Sequence, residues 1–464
     1  MRRAGQPLCC CQLLPRNEHE TARTLLTIIH NKQVAERIRS HYSVRQIRDL
    51  NAFLEQVGAF IFRPLANGLF PAAALGTNKN YTGYSYIWVR DNIHVAYAHY
   101  AVGRAPVATK AVRTLMQYFI KHKKRFVDII EGMADPAIAM NRPHIRFDGA
   151  TLGEVAEKWA HAQNDALGYF LWLFCKLVNE KQFVLGQDEL DMLALFPLYF
   201  RTIRFWEDED SGHWEEIRKV SASSIGSVVA GLQAFGALIS SAHQVCQYKE
   251  TVITPEFVEL LLRRGNEALS SILPAECMQP DTAKRRLYDS ALLFLIYPLK
   301  VVEDQMADRI LENVRTHLQG EYGIRRYLGD SYWAPDYKNK LGPEQRTVDF
   351  SDDVSRRDQL LSATGQEAQW CIFDPIVSCI YGTRFTATPT NTILTKQTEY
   401  LNRSLGQITS EDSPPANASR CPELYYLEHG QYVSNDHVPL LWTQANLMLG
   451  LKRMEESCVL AERE

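Results

Sequence analysis

The chain of 464 residues has no excess of positive charge, no long apolar run and no paired cysteine motif, and each absence removes a class of protein. Fifty-one Lys and Arg against 54 Asp and Glu leave a net charge of −3. Neutralising phosphates requires clustered excess positive charge, so no nucleic-acid partner is expected. The longest uninterrupted apolar stretch, Ala166 to Cys175, falls well short of the roughly 20 residues that cross a bilayer, and no membrane partner is expected. The first residues are basic, but Gln6, Pro7, Gln12 and Pro15 interrupt the apolar core that a secretory leader needs. Ten cysteines are scattered, apart from the triplet Cys9–Cys11, with no C-x-x-C spacing. Reduced, mostly buried thiols and a cytoplasmic location are the expectation. No His, Cys and Asp cluster has the spacing of metal ligands, so neither metal nor organic cofactor is expected.

What the sequence does have is helical periodicity. Apolar residues recur at three- and four-residue spacing over 21–38, 45–62, 92–102, 107–121, 160–178, 188–205 and 220–239. The same holds over 255–272, 290–301, 304–317, 367–380, 389–405 and 440–454, which makes thirteen helices and an all-α fold. Strand signals are weak and short. The connections alternate in length: short ones after the odd helices, long ones at about 63–90, 122–158, 206–219, 273–289, 318–366 and 406–438. Short links make antiparallel helix hairpins. Six hairpins in a ring would send every long link to one end, around a central pocket, and loops of that length are usually functional. No linker or shift of composition divides the chain, so a ragged segment 1–17 followed by one domain over 18–464 is expected.

The long links hold acids, arginines and tryptophans in recurrent company. The first ends in Tyr84, Trp88, Arg90 and Asp91. Asp91 could simply cap a helix, or Arg90 and Asp91 could form a charged fork beside a flat indole, which suits a ring with hydroxyl edges and CH faces. The second ends in Trp159, His161, Gln163 and Asp165. His161 there reads more as a satisfied structural group than as a catalyst. The third carries Trp214, Glu215 and Glu216. Glutamates in a first helical turn complement its dipole, but a carboxyl pressed against an indole is also desolvated and raised in pKa, as a general acid requires. The last has Pro422-Glu423-Leu424 among aromatics. Glu423 is either a surface acid or, with Glu215 on the same face, the second carboxylate of a pair.

These segments, in this order, resemble glycoside hydrolase family 15, the glucoamylases, and the related N-terminal domains of phosphorylase kinase α and β subunits. The landmarks are Trp88–Asp91, Trp159–Asp165, Trp214–Glu216, Arg325-Arg326-Tyr327 with Asp330-Ser331-Tyr332, Glu367–Trp370 and Pro422-Glu423. The resemblance implies an (α/α)6 barrel and an inverting, exo-acting hydrolase of α-linked glucosides or glucans that releases β-glucose. It implies Glu215 as general acid and Glu423 as general base. It further implies Arg90, Asp91, Arg326 and Glu216 on the sugar hydroxyls, Trp88, Trp159 and Trp370 as walls, and Tyr84 near the attacking water. His161 stands where many glucoamylases have arginine, Gly212 replaces an acidic residue, and Leu424 follows the implied base where glutamine is frequent. Pro343-Glu344-Gln345 mimics the base motif but precedes Trp370, so it is assigned to a loop. The alternative is a non-hydrolytic carbohydrate-binding or regulatory domain of the phosphorylase kinase type, and only that reading calls for a protein partner.

Overall fold

Helices form where the periodic apolar stripe continues and stop where caps, glycines or prolines break it. The computed structural model of the chain describes residues 28–73, 83–241, 245–342, 346, 365–413 and 418–463. Twelve helices carry the architecture: α1 (Val44–Gln56), α2 (Val89–Ala101), α3 (Ala105–Lys121), α4 (Asn164–Asn179), α5 (Gln187–Ile203), α6 (Ala222–Ser241), α7 (Pro255–Ile272), α8 (Leu293–Ile296), α9 (Asp304–Asn313), α10 (Asp374–Ala387), α11 (Asn391–Gly406) and α12 (Leu441–Ala461). The even-numbered helices touch one another in sequence, and α12 returns to α2, so they close an inner ring. The odd-numbered helices pack outside them, each on its hairpin partner. This is the expected (α/α)6 barrel.

Composition explains which helix goes where. Apolar on nearly every side, α4 buries Ala166 through Cys175 without interruption, as a helix enclosed on all sides must. On the outside, α7 buries only Val258, Leu261, Gly265 and Leu269, a single stripe, and starts under a Thr254 side-chain cap with Pro255 in its first turn. Residues Ala222–Ser240 are long and apolar enough to cross a membrane by composition alone, yet 78% of that stretch is buried. It is a core helix of the inner ring.

Several boundaries differ from the sequence expectation. Of the expected first hairpin, 21–38 with 45–62, residues 21–27 lie outside the described residues, as do Cys9–Cys11 and the segment 1–17. The stretch 28–43 contributes one helical turn, Lys32–Ala35, begun by Asn31 accepting from the amides of Gln33 and Val34. Instead α1 packs on α12, so the two ends of the barrel sequence close the sixth pair. The expected helix 290–301 is a 3-10 turn, Ser290–Leu292, plus the four residues of α8. Pro298 lacks an N–H and drives Tyr297 to extended backbone, which ends it. The start of the expected helix 367–380 is a strand, and 304–317 finishes in a π-helical turn, Val314–Leu318. The link 122–158 contains an unexpected helix, Lys124–Ile130.

Two three-stranded sheets stand at the entrances to the inner helices. The first is β1 (Ile87–Trp88), β2 (Arg146–Asp148) and β3 (Gly153–Glu154), antiparallel throughout, and it leads into α2. The second is β4 (Gln369–Trp370), β5 (Leu424–Glu428) and β6 (Gln431–Ser434), and it leads into α10 and α12. The long connections therefore meet at the N-terminal ends of the inner helices. The seven described cysteines are free and buried.

Inner helices α4 and α6 approach to backbone contact. A Cβ on Gly168 would lie 2.4 Å from the carbonyl carbon of Ser227, a clash that no rotamer relieves. Gly168→Ala is expected to lower unfolding free energy by about 2–3 kcal/mol, the scale of overpacking a rigid core, and chemical denaturation would read it.

Candidate active site

The surroundings of Glu215 are built on α2 and the turn before α6. Glu215 follows a single 3-10 turn, Gly212–Trp214, and has left-handed backbone at φ 58°, ψ 43°. Non-glycine residues avoid that region unless the surroundings hold them there. Gly212 is also left-handed, at φ +56°, which accounts for glycine at this position. Arg90, in the first turn of α2, donates from Nη2 to Glu215 Oε1 at 3.2 Å. From Nη1 it donates to Asp165 Oδ2 at 2.6 Å and Gln163 Oε1 at 3.1 Å. Burial pushes the Glu215 carboxyl up to about 7; Arg90 opposes this and Asp91 adds to it. At Asp165 burial also disfavours charge, but Arg90 and His213 outweigh it and hold that carboxyl below its usual range.

The surroundings of Glu423 are built where β4 and β5 converge. Trp370 lies opposite Leu424, and the amide of Cys371 donates to the carbonyl of Glu423 at 2.9 Å. The Glu423 amide donates to the carbonyl of His437 at 3.2 Å, and Thr443 Oγ1 donates to the carbonyl of Pro422 at 2.9 Å. Four side chains converge on the carboxylate, which is 2% exposed, the most distant being Tyr332, whose hydroxyl donates to Oε2 at 3.5 Å. Tyr84 donates to Oε1 at 2.5 Å; His437 Nδ1 stands 2.7 Å from Oε2, and Asn435 Nδ2 donates to the same oxygen. Tyr84 is stacked on His437 at 3.7 Å and reaches the Tyr332 hydroxyl at 2.8 Å.

Asp91 links the two sides. Burial lifts its carboxyl to about 6 against the pull of Arg90, and Glu423 and Asp165 push it further. Since Asp91 also acts on Glu215, both glutamates lie within electrostatic reach of one aspartate. The walls are aromatic. Trp88 meets Trp159 edge-on, with ring centres 5.3 Å apart and planes at 77°, and Trp370 stacks on Tyr332 at 5.7 Å. The buried indole N–H groups of Trp88, Trp159 and Trp370 meet no acceptor among the described residues.

The structure thus gathers Tyr84, Trp88, Arg90, Asp91, Trp159, Glu215, Trp370 and Glu423. Two further expected sugar contacts have their charges paired within the protein. Glu216 is enclosed by Arg286, by Lys219 at 3.1 Å and by the Tyr327 hydroxyl. Burial opposes its charge, yet Arg286 and Lys219 hold its carboxyl well below the ordinary range. Arg326 is bidentate to Asp330, with both contacts 2.6 Å, and lies 4.7 Å over the Trp370 ring. Of the departures, His161 is stacked on His144 at 3.7 Å and kept neutral, chiefly by burial. Leu424 turns into the core with no exposure. Pro343, Glu344 and Gln345 lie outside the described residues. Sequence reasoning missed Asn435, His437 and Arg146, because only the pairing of β5 with β6 and of β1 with β2 brings them to the site.

The profile of glycosyl hydrolases family 15 matches residues 50–359, and the chain belongs to that family. The match ends before Trp370 and Glu423, which the fold alone brings to the site. Among curated proteins, the chain is 29% identical over 289 residues to the probable phosphorylase b kinase regulatory subunit alpha of Caenorhabditis elegans, covering 56% of this chain and 22% of that one. It is 26% identical over 274 residues to the liver isoform of the mouse (Mus musculus) subunit, covering 53% and 21%. The chain therefore spans about a fifth of the length of these curated relatives. Among solved structures, a wild-type glycosidase superposes with a TM-score of 0.57 at 15% identity, covering 91% of this chain and 98% of that one. The glucoamylase of Saccharomycopsis fibuligera gives 0.53 at 12%, covering 93% and 97%. At these identities the structures show the shared fold.

Removing one partner of a buried ion pair strands the other. Asp165→Asn is expected to destabilise the protein by about 3 kcal/mol in a urea titration, since Arg90 then lacks its nearest counter-charge.

Proposed function

We propose that the protein is an inverting, exo-acting hydrolase of α-linked glucosides or short glucans that releases β-glucose without metal or cofactor. What carries the reading is a contrast within one site: burial pushes the Glu215 carboxyl up to about 7, while Glu423 has four hydrogen-bond contacts on its carboxylate oxygens. Two carboxyls in opposed environments divide the roles of acid and base. In this reading Glu215 protonates the glycosidic oxygen as the bond to the anomeric carbon breaks. Glu423 takes a proton from a water attacking that carbon on the opposite face. Inverting sites hold such carboxyls about 6.5–9.5 Å apart to admit the water. Tyr84 and His437 fix the orientation of Glu423, and Arg90 fixes that of Glu215. Asp91 and Arg90 meet the hydroxyls of the terminal sugar while Trp88, Trp159 and Trp370 cover its CH faces. Arg326 and Glu216 act on the sugar less directly, since their charges are already paired, and serve to hold the walls.

The second reading is a carbohydrate-binding regulatory domain acting through a protein partner. What favours it is that the worm and mouse relatives are named as regulatory subunits.

The two readings part on turnover. On a panel of maltose-like, isomaltose-like and trehalose-like substrates, the wild-type protein is expected to release glucose. Glu215→Gln and Glu423→Gln should each lower kcat by about 10²- to 10⁴-fold with the fold intact. Sugar binding without any glucose, identical in all three proteins, selects the regulatory reading. Because Glu215 must carry its proton, the basic limb of kcat/KM should fall near pH 7 and disappear in Glu215→Gln.

A further inference from the structure

The turn that presents Glu215 is weakly held by its own backbone. Glu215 sits in the left-handed region, which persists only where the surroundings over-determine it. Two amide bonds close the turn, from Glu215 to the Gly212 carbonyl and from Glu216 to the Ser211 carbonyl. Each is 3.4 Å long, beyond the usual range of about 2.7–3.2 Å. The restraint comes instead through the side chains on either side of Glu215. Trp214 donates its indole N–H to Asp289 Oδ1 at 2.9 Å, whereas those of Trp88, Trp159 and Trp370 meet no acceptor among the described residues. Glu216 pairs with Arg286. Arg286 Nη1 also donates to Asp289 Oδ2 at 3.2 Å, so both restraints end on the one segment 286–289.

That segment is itself fixed. Arg286 and Cys277 each donate an amide to the other's carbonyl at 2.9 Å, and the Arg286 guanidinium lies 3.4 Å over the Tyr327 ring. Asp289 pairs with Tyr327 in an antiparallel bridge, and its Oδ1 also accepts from the Ala291 amide at 2.9 Å. Asp289 is 1% exposed, so its oxygens serve these donors rather than solvent, and hydrogen bonds to a charged acceptor are the strong ones. We propose that Arg286 and Asp289 are positioning residues that clamp Trp214 and Glu216 and thereby fix the Glu215 carboxyl between them. Their role in turnover rests on the hydrolase reading; the clamp rests on the contacts themselves. Neither residue has to touch the sugar. What they set is the placement of one proton donor, where a displacement of about 1 Å can cost about 10²-fold in rate.

A misplaced acid leaves a signature that general loosening does not. A sugar leaving group must gain a proton as its bond breaks, whereas fluoride departs from α-glucosyl fluoride with the bonding electron pair and little need of one. Asp289→Ala is expected to lower kcat on a maltose-like substrate by about 10- to 100-fold, and on α-glucosyl fluoride by less than about threefold. Trp214→Phe keeps an aromatic ring against Phe373 but lacks the N–H. It should show the same split, and it decides the matter if Asp289→Ala does not fold. Equal losses on both substrates, or no loss on either, would overturn the proposal and leave Asp289 as a structural cap. A second measurement needs no turnover. In the full chain with ¹⁵N-labelled tryptophan, the Trp214 indole resonance is assigned by its loss in Trp214→Phe. Its proton should exchange with solvent about tenfold faster in Asp289→Ala, or in Arg286→Gln should the former not fold. A wild-type protein that hydrolyses neither substrate would count against the hydrolase reading, and an exchange rate unchanged in these variants would overturn the clamp.

Discussion

Arg90 is the constraint on which the surroundings of Glu215 depend. It is 4% exposed, and from the first turn of α2 it bonds to Asp165 at the start of α4 and to Glu215 before α6. One guanidinium thus joins three consecutive inner elements at the mouth of the barrel. A guanidinium cannot shed its proton to escape burial, so its carboxylate partner must stay with it. Asp165 supplies that partner, and the hold on Glu215 at 3.2 Å is the longer of the two contacts. The unequal sharing has a chemical consequence. Asp165 keeps its charge, while Glu215 is left with enough burial to keep a proton near neutral pH.

The surroundings of Glu423 are organised by backbone rather than by charge. The pairing of β4 with β5, and of β5 with β6, fixes the residues on either side of Glu423. Tyr84 and His437 then arrive as a stacked pair from opposite ends of the chain. A carboxylate held at both oxygens has one orientation available, which is what a base acting on a single water requires. The same wrapping would serve a regulatory domain that only binds sugar, so it is turnover, rather than the cup around the base, that separates the two.

Much of this was legible in the sequence, and the rest was hidden for identifiable reasons. Helix positions followed from apolar spacing: α7 begins and ends where the pattern does, at Pro255 and Ile272. The alternation of short and long links foretold one face rich in loops. The closing pair was not legible, because the 21–38 stripe suggested a local hairpin whereas α1 finds its partner in α12, some four hundred residues away. At 290–301 the periodic stripe persists through Tyr297-Pro298, and only the chemistry of proline breaks it. Among site residues, those within contiguous motifs were readable, whereas Asn435, His437 and Arg146 depend on strand register. Glu216 and Arg326 were legible as charged residues, but nothing in the spacing announces Arg286 and Lys219 as the partners of the first. Asp330 stood in a landmark segment next to the second without its pairing being evident.

The proposed hydrolysis turns on two carboxyls acting from opposite faces of one sugar, and the anomeric form of the first glucose released tests that most directly. In an NMR time course started with wild-type protein and an α-linked glucoside, the β-anomer should appear first and the α-anomer only as mutarotation proceeds. Initial release of α-glucose would mean that water does not attack opposite the leaving group, and the division of labour between Glu215 and Glu423 would be contradicted.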